Sequence, residues 1–307
     1  MTSALVNGRI TIGICCYNAA ETIERSVRSA LAQTWSDLEV LVADDASTDN
    51  SAAMVALLAQ SNPRIRLIRR TTNGGPAATR NTIVANATGE FLAFQDDDDE
   101  SDPARLKAQV ERILDYEARS GDRNVVCFAS RKVLHRDGTV TYARSMGVSD
   151  TPRGEGIALH VLCGDPLPGA GRIGAGTMMA RTDLFRNMPF DENFRRAEEQ
   201  DWLIRFAVGG GAVVGCSDPL LTQHLTTGAD KTSKASLEAA LALCRKHRKL
   251  LKQHRAYWAA LAHAQVRLAD PWRRRIALAS LAVLRSNVFA AIVRARAASR
   301  RGATRPA

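Results

Sequence analysis

Two hydrophobic periods alternate along the first part of the chain, and this alternation limits the fold more than any other feature of the sequence. Four short runs are rich in β-branched and other apolar residues and predict β-strands: 9–16, 38–43, 64–69 and 90–95. The segments between them have helical spacing: 21–33, 49–60 and 76–87. A βαβαβαβ order requires a mostly parallel, Rossmann-like sheet flanked by helices, and such sheets bind ligands at the carboxyl ends of their strands. We therefore expect an α/β fold with its site at those strand ends.

Polar residues that suit a binding site follow the second and third strands. Asp44 and Asp45 lie in "ADDASTDNS", where the chain turns out of the sheet, and turn formation alone is the alternative role for them. Gly74 and Gly75 permit a close backbone approach, although they form no Walker loop because GxxxxGK[ST] is absent. Arg80 lies about one turn into the next helix, near the end that attracts phosphate. It is a candidate for binding an anion.

Four consecutive carboxylates follow the fourth strand, at residues 96–99. Adjacent carboxylates repel each other, and a turn needs only one or two of them, so we expect a positive group nearby. Oxygen ligands favour a hard divalent ion, Mg²⁺ or Mn²⁺, which typically binds one or two carboxylates together with substrate phosphates. An EF-hand is disfavoured because its glycine and its final glutamate are absent. The alternative is a solvated acidic turn before a helix that begins near Pro103.

Taken in order, these motifs resemble those of the family 2 glycosyltransferases of GT-A fold. The matching segments are "TIGICCYNAAETIERSVRSALAQTWSDLEVLVADDASTDNS", "NGGPAATRN" and "GEFLAFQDDDDESDPARL". The resemblance covers roughly residues 9–225. It implies an inverting enzyme that takes a sugar from a nucleoside-diphosphate sugar, with Mn²⁺ or Mg²⁺ as cofactor.

The resemblance assigns donor-binding roles to residues at the strand ends. Asp45 would accept a hydrogen bond from the nucleobase, expected to be uracil, with Asp44 beside it. Arg80 would face the diphosphate. Tyr17 and Asn18 match the Tyr-Asn pair that follows the family's opening strand, and they join the donor-binding set.

The family's Asp-x-Asp motif falls on the acidic turn. Asp96 and Asp98 occupy its two positions, Asp99 follows, and Pro103 fixes the register. Asp98 is the expected metal ligand, and Asp96 would hold the ribose or assist the metal. Asp97 stands where the family has a small residue, so a register shifted by one stays open and Asp97 is also a donor-binding candidate.

The segment "MPFDENFRRAEEQDWLIRF" resembles the part of the family that supplies the catalytic base. Glu199 occupies the base position, where the family has Asp, and Asp201 lies two residues on as the alternative base. The base would take the proton of an acceptor hydroxyl, which attacks the anomeric carbon in a single displacement. The structural alternative is that these acids only favour the helix N-terminus electrostatically.

Two further residues of this half have competing interpretations. His224, in "LLTQHLTTGADKTS", lies near a position where relatives carry a histidine that reaches the metal or the diphosphate. An ordinary loop residue is the alternative, because the arginine found two residues earlier in many relatives is Thr222 here. Trp202 could line the acceptor site, but a core position is the better prediction for a tryptophan on such a helix.

Charge divides the chain into two parts. Residues 231–307 contain 18 Lys and Arg and two acids, a net charge of +16, whereas residues 1–230 contain 24 and 30, a net charge of −6. We predict a basic helical extension with an anionic partner, and arginine clusters at 273–275 and 294–301 favour the surface of an anionic membrane. The apolar run 276–293 is too interrupted for a membrane span. Packing of the tail on the catalytic domain or on a second subunit is the alternative.

The predicted organisation is a GT-A domain followed by an extension. The domain spans 1–228, with a nucleotide-sugar half at 9–120 and an acceptor half at 121–228, and the extension spans 229–307. The six cysteines form no CxxC pair and no secretory signal precedes the first strand, so we expect reduced thiols and a cytoplasmic protein, peripheral on the inner face of the membrane. The expected partners are the donor and a glycan or lipid-linked acceptor.

Other function classes fit less of the sequence. A nucleic-acid-binding protein would explain the basic tail, but aromatic residues make up only 5% of the chain and the acidic body stays unexplained, so no nucleic acid is expected. A sugar nucleotidyltransferase would have a glycine-rich N-terminal signature, whereas residues 9–20 read "RITIGICCYNAA". A sugar-nucleotide-binding protein without turnover stays open because of the Glu199 replacement, as does a membrane-binding module.

Overall fold

A computed structural model describes residues 8–225, 233–266 and 271–285 of the chain. These residues form two compact units. Unit 1 comprises the described residues 8–158 and 166–225, and unit 2 comprises 159–165, 233–266 and 271–285. Every site residue predicted from the sequence lies in unit 1.

Four parallel strands and three helices make the first half of unit 1, in the predicted order. The strands are β1 (Ile10–Cys16), β2 (Leu38–Asp44), β3 (Ile65–Arg69) and β4 (Phe91–Asp96). The helices between them are α1 (Ile23–Leu31), α2 (Ser51–Ser61) and α3 (Pro76–Asn86). The strands pair in parallel in the order β3-β2-β1-β4, so their carboxyl ends share one edge of the sheet.

The second half of unit 1 extends this sheet with strands that hydrophobic periodicity did not predict. They are β5 (Glu100–Ser101), β6 (Val125–Leu134), β7 (Val140–Ala143), β8 (Met178–Arg181) and β9 (Ala212–His224). Helices accompany them: α4 (Arg105–Ser120), α5 (Glu155–Cys163), whose last residues belong to unit 2, α6 (Thr182–Asn187) and α7 (Glu198–Val208). Because β8 pairs antiparallel with β4 and β6, the result is a mixed sheet of order β3-β2-β1-β4-β8-β6-β9-β5, with β7 on β6.

Strand β1 lies at the centre of the core. Ile10, Ile12 and Ile14 are fully buried, which stabilises the fold by about 1.5–3 kcal/mol for each side chain. A Cβ at Gly13 would lie only 2.4 Å from Cγ2 of Ile83, so the missing side chain lets α3 pack directly on β1. This close packing places the start of α3 at the carboxyl edge of the sheet.

Aromatic packing joins α7 to β4 behind that edge. Trp202 is fully buried, its Nε1 donates to the Met188 carbonyl at 2.7 Å, and its ring stacks on Phe206 with the centroids 5.0 Å apart. The Phe185 ring lies 5.1 Å from Trp202 and 5.2 Å from Phe94 of β4. Trp202 is therefore a core residue, as predicted.

Unit 2 is helical in its described part. Its helices are α8 (Ser233–Lys246), α9 (Arg248–Gln253), α10 (Tyr257–Gln265) and α11 (Pro271–Arg285). No helix among the described residues has both the length and the apolarity needed to cross a bilayer. The arginine cluster at 294–301 lies outside the described residues, as does the end of the apolar run that starts at Ile276.

All six cysteines are reduced thiols, as predicted. Five are buried, and Cys15 is partly exposed at the end of β1. Burial raises the pKa of the Cys15 thiol to about 12, so Cys15 is a neutral thiol at the edge where the predicted site lies.

Candidate active site

The register of the sheet brings two predicted acids to the end of the central strand. Asp44 of β2 lies opposite Cys16, and Asp96 of β4 lies opposite Cys15. Because both cysteines end β1, Asp44 and Asp96 flank it at the carboxyl edge. The first two motifs of the sequence therefore meet in space.

The loop after β1 is tied to the two loops beside it. Asn18 adopts a left-handed conformation with φ 50°, and its N–H donates to Ser47 Oγ at 2.9 Å. Asn18 Oδ1 in turn accepts the Thr48 N–H at 2.9 Å. The Tyr17 N–H donates to Asp97 Oδ2 at 3.0 Å, while the Tyr17 side chain is 49% exposed. The Tyr17 ring is therefore available to a ligand at this edge, and Asn18 serves the loop geometry.

Asp45 holds the glycine turn that begins α3. Its Oδ1 accepts the Gly74 N–H at 2.9 Å and its Oδ2 accepts the Gly75 N–H at 2.7 Å. Arg70 Nε lies 2.9 Å from the same Oδ1. Gly75 has φ 81°, a conformation that a side chain would strain. The carboxylate of Asp45 thus organises the turn in addition to any contact with a ligand.

Asp44 is buried and incompletely satisfied. Its Oδ2 accepts the Ser47 N–H at 3.3 Å and lies 3.8 Å from Arg69 Nε. Its Oδ1 has no hydrogen-bond partner among the described residues. A buried carboxylate oxygen without a partner is costly, so a ligand donor at this position would stabilise the site.

The four aspartates of the acidic turn have two different environments. Asp96, Asp97 and Asp98 are partly exposed, whereas Asp99 is 1% exposed. Burial raises the pKa of Asp99 to about 9, with the charges of Asp96 and Asp98 acting in the same direction, so Asp99 is protonated at neutral pH. Burial also raises the pKa of Asp96, against the opposing charge of Arg80. Only three of the four aspartates therefore offer a carboxylate to a cation.

A buried amide and an arginine hold this turn against α1. Gln95 Nε2 donates to Ser26 Oγ at 2.8 Å, and Gln95 Oε1 accepts the Ser101 hydroxyl at 2.6 Å. Arg25 Nη2 donates to the carbonyl oxygen of Asp98 at 2.8 Å. These bonds fix the main chain on both sides of the carboxylates, so the turn is formed before any ligand binds.

Arg80 connects α3 to both the acidic turn and α7. Its side chain is only 5% exposed; Nη1 donates to Glu198 Oε1, and Nη2 lies 3.4 Å from Asp96 Oδ1. The Phe94 and Phe190 rings lie within 6 Å of the guanidinium, with centroids at 5.8 and 5.9 Å. Burial disfavours the charge of Arg80, but Glu198 and its neighbours raise the pKa of Arg80 above its ordinary value. Arg80 is a permanent cation at the centre of the site.

The acids at the start of α7 are not equivalent. Asp201 is fully buried, and its Oδ2 accepts from Arg205 Nε at 2.8 Å on the same helix. Glu199 is partly exposed, and burial, followed by the charge of Glu198, raises the pKa of Glu199 to about 7. Ala197 precedes the helix with φ 64°, a left-handed conformation that costs about 1 kcal/mol in alanine. Glu199 is the acid with both the access and the pKa of a general base.

His224 lies beside the acidic turn, at the end of β9. Its N–H donates to Asp99 Oδ1 at 3.2 Å, and its Nε2 lies 2.6 Å from Glu100 Oε1. Glu100 also lies 3.3 Å from Arg25 Nε. The pairing of β9 with β5, in which Glu100 is opposite Thr222, produces this arrangement. The structure therefore places His224 beside the acidic turn, with one ring nitrogen already engaged, and its role as a ligand stays a prediction.

Two arginines that the sequence did not single out, one buried and one partly exposed, lie close to the acidic turn. Arg105 is fully buried and donates to the Phe94 carbonyl at 2.7 Å and to Ser101 Oγ at 2.9 Å. Burial lowers the pKa of Arg105 to about 10, against the charge of Asp99, and burial likewise lowers the pKa of Arg131 on β6. Arg105 could have been identified from the sequence, because it is a cation two residues after Pro103, at the expected start of a helix. No sequence feature indicated a role for Arg131, because β6 was not predicted.

Asp96, Asp97 and Asp98 form an incomplete set of ligands for a hard divalent cation. Within the described residues, no three His, Cys, Asp or Glu side chains are arranged to hold a metal ion. Mg²⁺ and Mn²⁺ commonly take one or two carboxylates from the protein and complete their shell with phosphate oxygens and water. The oxygen donors and the raised pKa of Asp96, which a cation would lower, fit a metal that binds together with a diphosphate.

A comparison with family models places this edge in a known family. The model for "Glycosyl transferase family 2" matches residues 11–161, which include the ends of β1, β2 and β4, the glycine turn and the acidic turn. Helix α7 lies beyond the matched residues.

Curated relatives match mainly the same region. The succinoglycan biosynthesis protein ExoO of Rhizobium meliloti is 42% identical over 103 residues, which are 34% of this chain and 29% of ExoO. The Escherichia coli protein WfgD, named a UDP-Glc:alpha-D-GlcNAc-diphosphoundecaprenol beta-1,3-glucosyltransferase, is 39% identical over 105 residues, which are 34% of this chain and 41% of WfgD. The amylovoran biosynthesis glycosyltransferase AmsB of Erwinia amylovora is 26% identical over 220 residues, covering 71% of this chain and 70% of AmsB. The chain thus matches less than half of ExoO and of WfgD.

Solved structures extend the likeness to most of the chain. TarS 1-349 of S. aureus, in complex with UDP-GlcNAc, has a TM-score of 0.57 at 18% identity and covers 89% of this chain and 88% of that one. The mannosyltransferase PcManGT of Pyrobaculum calidifontis, in complex with GDP-Man and Mn²⁺, has a TM-score of 0.58 at 20% identity and covers 95% of this chain and 80% of that one. These likenesses confirm the predicted α/β fold of GT-A type; the basic extension stays a prediction.

Proposed function

The chain belongs to glycosyl transferase family 2 through residues 11–161, and from this premise we propose that it is an inverting, metal-dependent glycosyltransferase. It would move a sugar from a nucleoside-diphosphate sugar, UDP-linked, to a hydroxyl of a glycan or lipid-linked acceptor in the synthesis of a surface polysaccharide. The observation that carries the proposal is the meeting of Arg80, the acidic turn and Glu199 at one edge of the sheet. A cation, oxygen ligands and a base near neutrality are what this transfer requires.

Donor binding is assigned to the ends of β1 and β2. The unpartnered Oδ1 of Asp44 and the remaining lone pairs of Asp45 can accept from a nucleobase N–H, and uracil presents such a donor. The exposed ring of Tyr17 can cover the base, while Asn18 keeps the loop in place. Two acceptors and a ring, all positioned before binding, favour a planar base with a donor edge.

The diphosphate is assigned to the space between the acidic turn and Arg80. Asp98 would bind the metal, with Asp96 and Asp97 beside it and His224 as a further ligand if it leaves Glu100. A bound Mn²⁺ or Mg²⁺ would act as a Lewis acid on the leaving diphosphate. Arg80 supplies a positive charge that needs no proton, held in place by Glu198 and Asp96. Its charge would stabilise the charge that develops on the departing group.

Glu199 is proposed as the base. It would accept the proton of the acceptor hydroxyl while the oxygen forms its bond to the anomeric carbon and the bond to the diphosphate breaks. Support comes from its partial exposure and its pKa of about 7, whereas Asp201 is fully buried against Arg205. No covalent enzyme intermediate is needed in this single displacement.

The remaining assignments are also proposals. We place the catalytic domain at 1–228, with the donor half at 9–120 and the acceptor half at 121–228, and the extension at 229–307. A cytoplasmic enzyme at the inner face of the membrane would meet both a soluble donor and a lipid-linked acceptor. WfgD, by its name, acts on a diphosphoundecaprenol-linked sugar, which supports this class of acceptor.

Thermal melting with nucleotides tests the donor site directly. UDP, GDP, TDP and CMP, each with and without Mn²⁺, are compared on the full chain and on Asp98→Ala. A ligand at 100 times its Kd stabilises the protein by about 2.7 kcal/mol, a visible shift in Tm. We expect UDP to stabilise only with Mn²⁺, and Asp98→Ala to lose the effect.

A matched carboxylate checks the specificity of that result. Asp183, at the opposite edge of the sheet, is 81% exposed, and Asp183→Ala should keep the full shift with UDP and Mn²⁺. Hydrolysis of the UDP-sugar in the presence of Mn²⁺ then separates a transferase from a protein that only binds sugar nucleotides. The absence of any nucleotide-dependent shift would refute the proposed function.

A further inference from the structure

Helix α11 of unit 2 has two apolar faces. Ala277 and Leu281, four residues apart, are 5% and 7% exposed and form its buried face. On the opposite face lie Trp272, Ile276 and Val283, which are 67%, 47% and 60% exposed. Their spacing of four and seven residues keeps them on one side of a helix. We call these three residues, with the exposed Ala279 between them, the α11 stripe.

The stripe is not an isolated exposed side chain. Leu278, next to it on α11, is 47% exposed, and Trp258 on α10 is 66% exposed. A soluble surface commonly exposes single apolar residues, whereas a helix that exposes a whole apolar face marks a contact with a nonpolar partner. The described residues of unit 2 therefore present an exposed apolar surface.

Positive charge accompanies this apolar surface. The described residues of unit 2 contain eleven Lys and Arg against Asp165 and Glu238, a net charge of +9. Six of these basic residues lie between the end of α8 and the residues just after α9, and all six are exposed: Arg245, Lys246, Arg248, Lys249, Lys252 and Arg255. A surface with this charge attracts an anionic partner.

Aromatic contacts join the basic residues to the exposed tryptophan of α10. The Arg248 guanidinium lies 5.3 Å from the centroid of the Tyr257 ring, and that ring lies 5.7 Å from the Trp258 ring in an edge-to-face arrangement. Cationic and amphipathic aromatic side chains thus occur side by side on the surface of unit 2. This combination is typical of proteins that lie at the interface between lipid headgroups and acyl chains.

We propose that unit 2 binds the surface of an anionic lipid bilayer through the α11 stripe and the basic residues of α8 and α9. The stripe would enter the boundary of the acyl chains, and the basic residues would contact the headgroups. The described part of α11 has 15 residues, about 22 Å of helix, which is short of the roughly 30 Å core of a bilayer. A helix that carries this stripe along one side would lie along the surface, with the stripe towards the acyl chains.

Two other partners fit these observations less well. A second copy of the chain would bring another +9 against the same surface, and the two would repel each other. A nucleic acid would match the charge, but Ile276 and Val283 offer nothing for a base to stack on or hydrogen-bond with. An anionic bilayer satisfies both the apolar stripe and the charge. The inference goes beyond the proposed sugar transfer and does not depend on it.

Flotation of the full chain with vesicles tests the proposal. Vesicles of phosphatidylcholine alone are compared with vesicles that contain phosphatidylglycerol at 30 mol%, at low salt. We expect binding at least tenfold tighter to the anionic vesicles. Ile276→Asp should weaken that binding by at least tenfold, because an isoleucine transferred out of water contributes about 1.5–3 kcal/mol and 1.4 kcal/mol is a factor of ten.

A matched control separates this surface from a general effect of added charge. Leu57 on α2 of unit 1 is 67% exposed, and Leu57→Asp introduces the same charge elsewhere. It should bind anionic vesicles as tightly as the unaltered chain. Tm and the Tm shift with UDP and Mn²⁺, measured on all three proteins, report the fold and the donor site independently of lipid.

Several results would overturn the proposal. These are equal binding to neutral and anionic vesicles, equal binding by Ile276→Asp and Leu57→Asp, and no vesicle binding at all. A dimer in solution that Ile276→Asp dissociates, or RNA bound more tightly than anionic vesicles, would assign the surface to another partner.

Discussion

At the scale of single residues, Glu199 is the proposed base, and its replacement tests catalysis separately from donor binding. Its pKa of about 7 means that, as the base, it is half deprotonated near neutrality. We expect kcat/KM to rise about tenfold per pH unit below pH 7 and to level off above it. Glu199→Gln should lower kcat by roughly 10² to 10⁴ while donor binding, measured by the UDP and Mn²⁺ Tm shift, is kept. A variant with unaltered kcat would move the base role to Asp201.

Glu199→Gln should lower kcat but raise the free energy of unfolding at pH values above about 4.5. Glu199 has its pKa raised from 4.5 in the unfolded chain to about 7 in the native state, so between these values the native state binds more protons. The free energy of unfolding therefore falls as pH rises from about 4.5 to 7. Glu199→Gln removes this loss, so its Tm should exceed that of the unaltered chain at pH 8 and match it at pH 4.5. A lower Tm at pH 8 would contradict the assignment.

Glu198 is expected to affect the pH at which the proposed base Glu199 acts. It pairs with Arg80 in the buried site, and its charge raises the pKa of Glu199. Glu198→Gln should lower that pKa, so the rising limb of the kcat/KM profile moves to lower pH. It should also lower the free energy of unfolding by about 1–3 kcal/mol, because Arg80 loses its charged partner.

An exposed glutamate provides the comparison for Glu198. Glu111 lies on the exposed side of α4, and Glu111→Gln should leave both the pH profile and the Tm unaltered. An identical profile for Glu198→Gln and the unaltered chain would mean that Glu198 only binds Arg80.

Residues within a motif could be predicted from the sequence. Residues that hold those motifs in place through distant contacts could not. Asp96 follows from the acidic run after the fourth strand and Glu199 from the resemblance to the family's motif, and the structure places both at one edge of the sheet. Their catalytic roles stay predictions. Gln95 and Arg131 hold or balance the acidic turn through contacts with residues far away in sequence, such as Ser26 and Gln223. No local pattern encodes such contacts.

At the scale of elements, the packing of α3 on β1 depends on an absent side chain. A Cβ at Gly13 would lie 2.4 Å from Ile83 Cγ2, so Gly13→Ala must push α3 away from the sheet. We expect a loss of about 1–3 kcal/mol in the free energy of unfolding. Because α3 carries Arg80, the Tm shift with UDP and Mn²⁺ should also decrease.

A double-mutant cycle isolates this contact. Ile83→Ala removes the Cγ2 methyl that a Cβ at Gly13 would contact, and the double variant should lose less stability than the sum of the two single variants. Urea unfolding of the four proteins gives the coupling energy. Additive losses would mean that Gly13 is required for a reason other than the approach of α3.

The elements of the first half were predictable because each one has a local signal. All seven predicted strands and helices up to β4 are present, since continuous apolar runs and helical spacing alternate there. Strands β5 to β9 were not predicted from hydrophobic periodicity. β5 has two residues, and β9 continues through Pro219 after a register shift against β6, so neither has a clean period of two. Whether these segments form strands depends on their pairing with segments that are distant in the sequence.

At the scale of the whole molecule, the acidic body and the basic extension should respond differently to salt. Residues 1–230 carry a net charge of −6 and residues 231–307 carry +16. Screening lengths fall from roughly 10 Å at 0.1 M salt to about 3 Å at 1 M. We expect binding to phosphatidylglycerol vesicles to fall at least tenfold between 0.1 and 1 M NaCl.

The donor site provides the comparison within the same protein. Arg80, which is proposed to face the diphosphate, is buried, so the Tm shift with UDP and Mn²⁺ should fall much less over the same salt range. Flotation and melting at matched salt concentrations measure both. Parallel losses would place the two binding events on one exposed, highly charged surface.

The partly exposed carboxylates of the acidic turn have a consequence for the thermodynamics of binding. A cation that depends on diphosphate oxygens for part of its shell binds weakly without nucleotide, and the nucleotide binds weakly without the cation. By reciprocity, the factor by which Mn²⁺ raises the affinity for UDP equals the factor by which UDP raises the affinity for Mn²⁺. The rate of the proposed enzyme would therefore depend on the product of the metal and donor concentrations. The metal concentration in the cell would limit this rate as much as the donor concentration does.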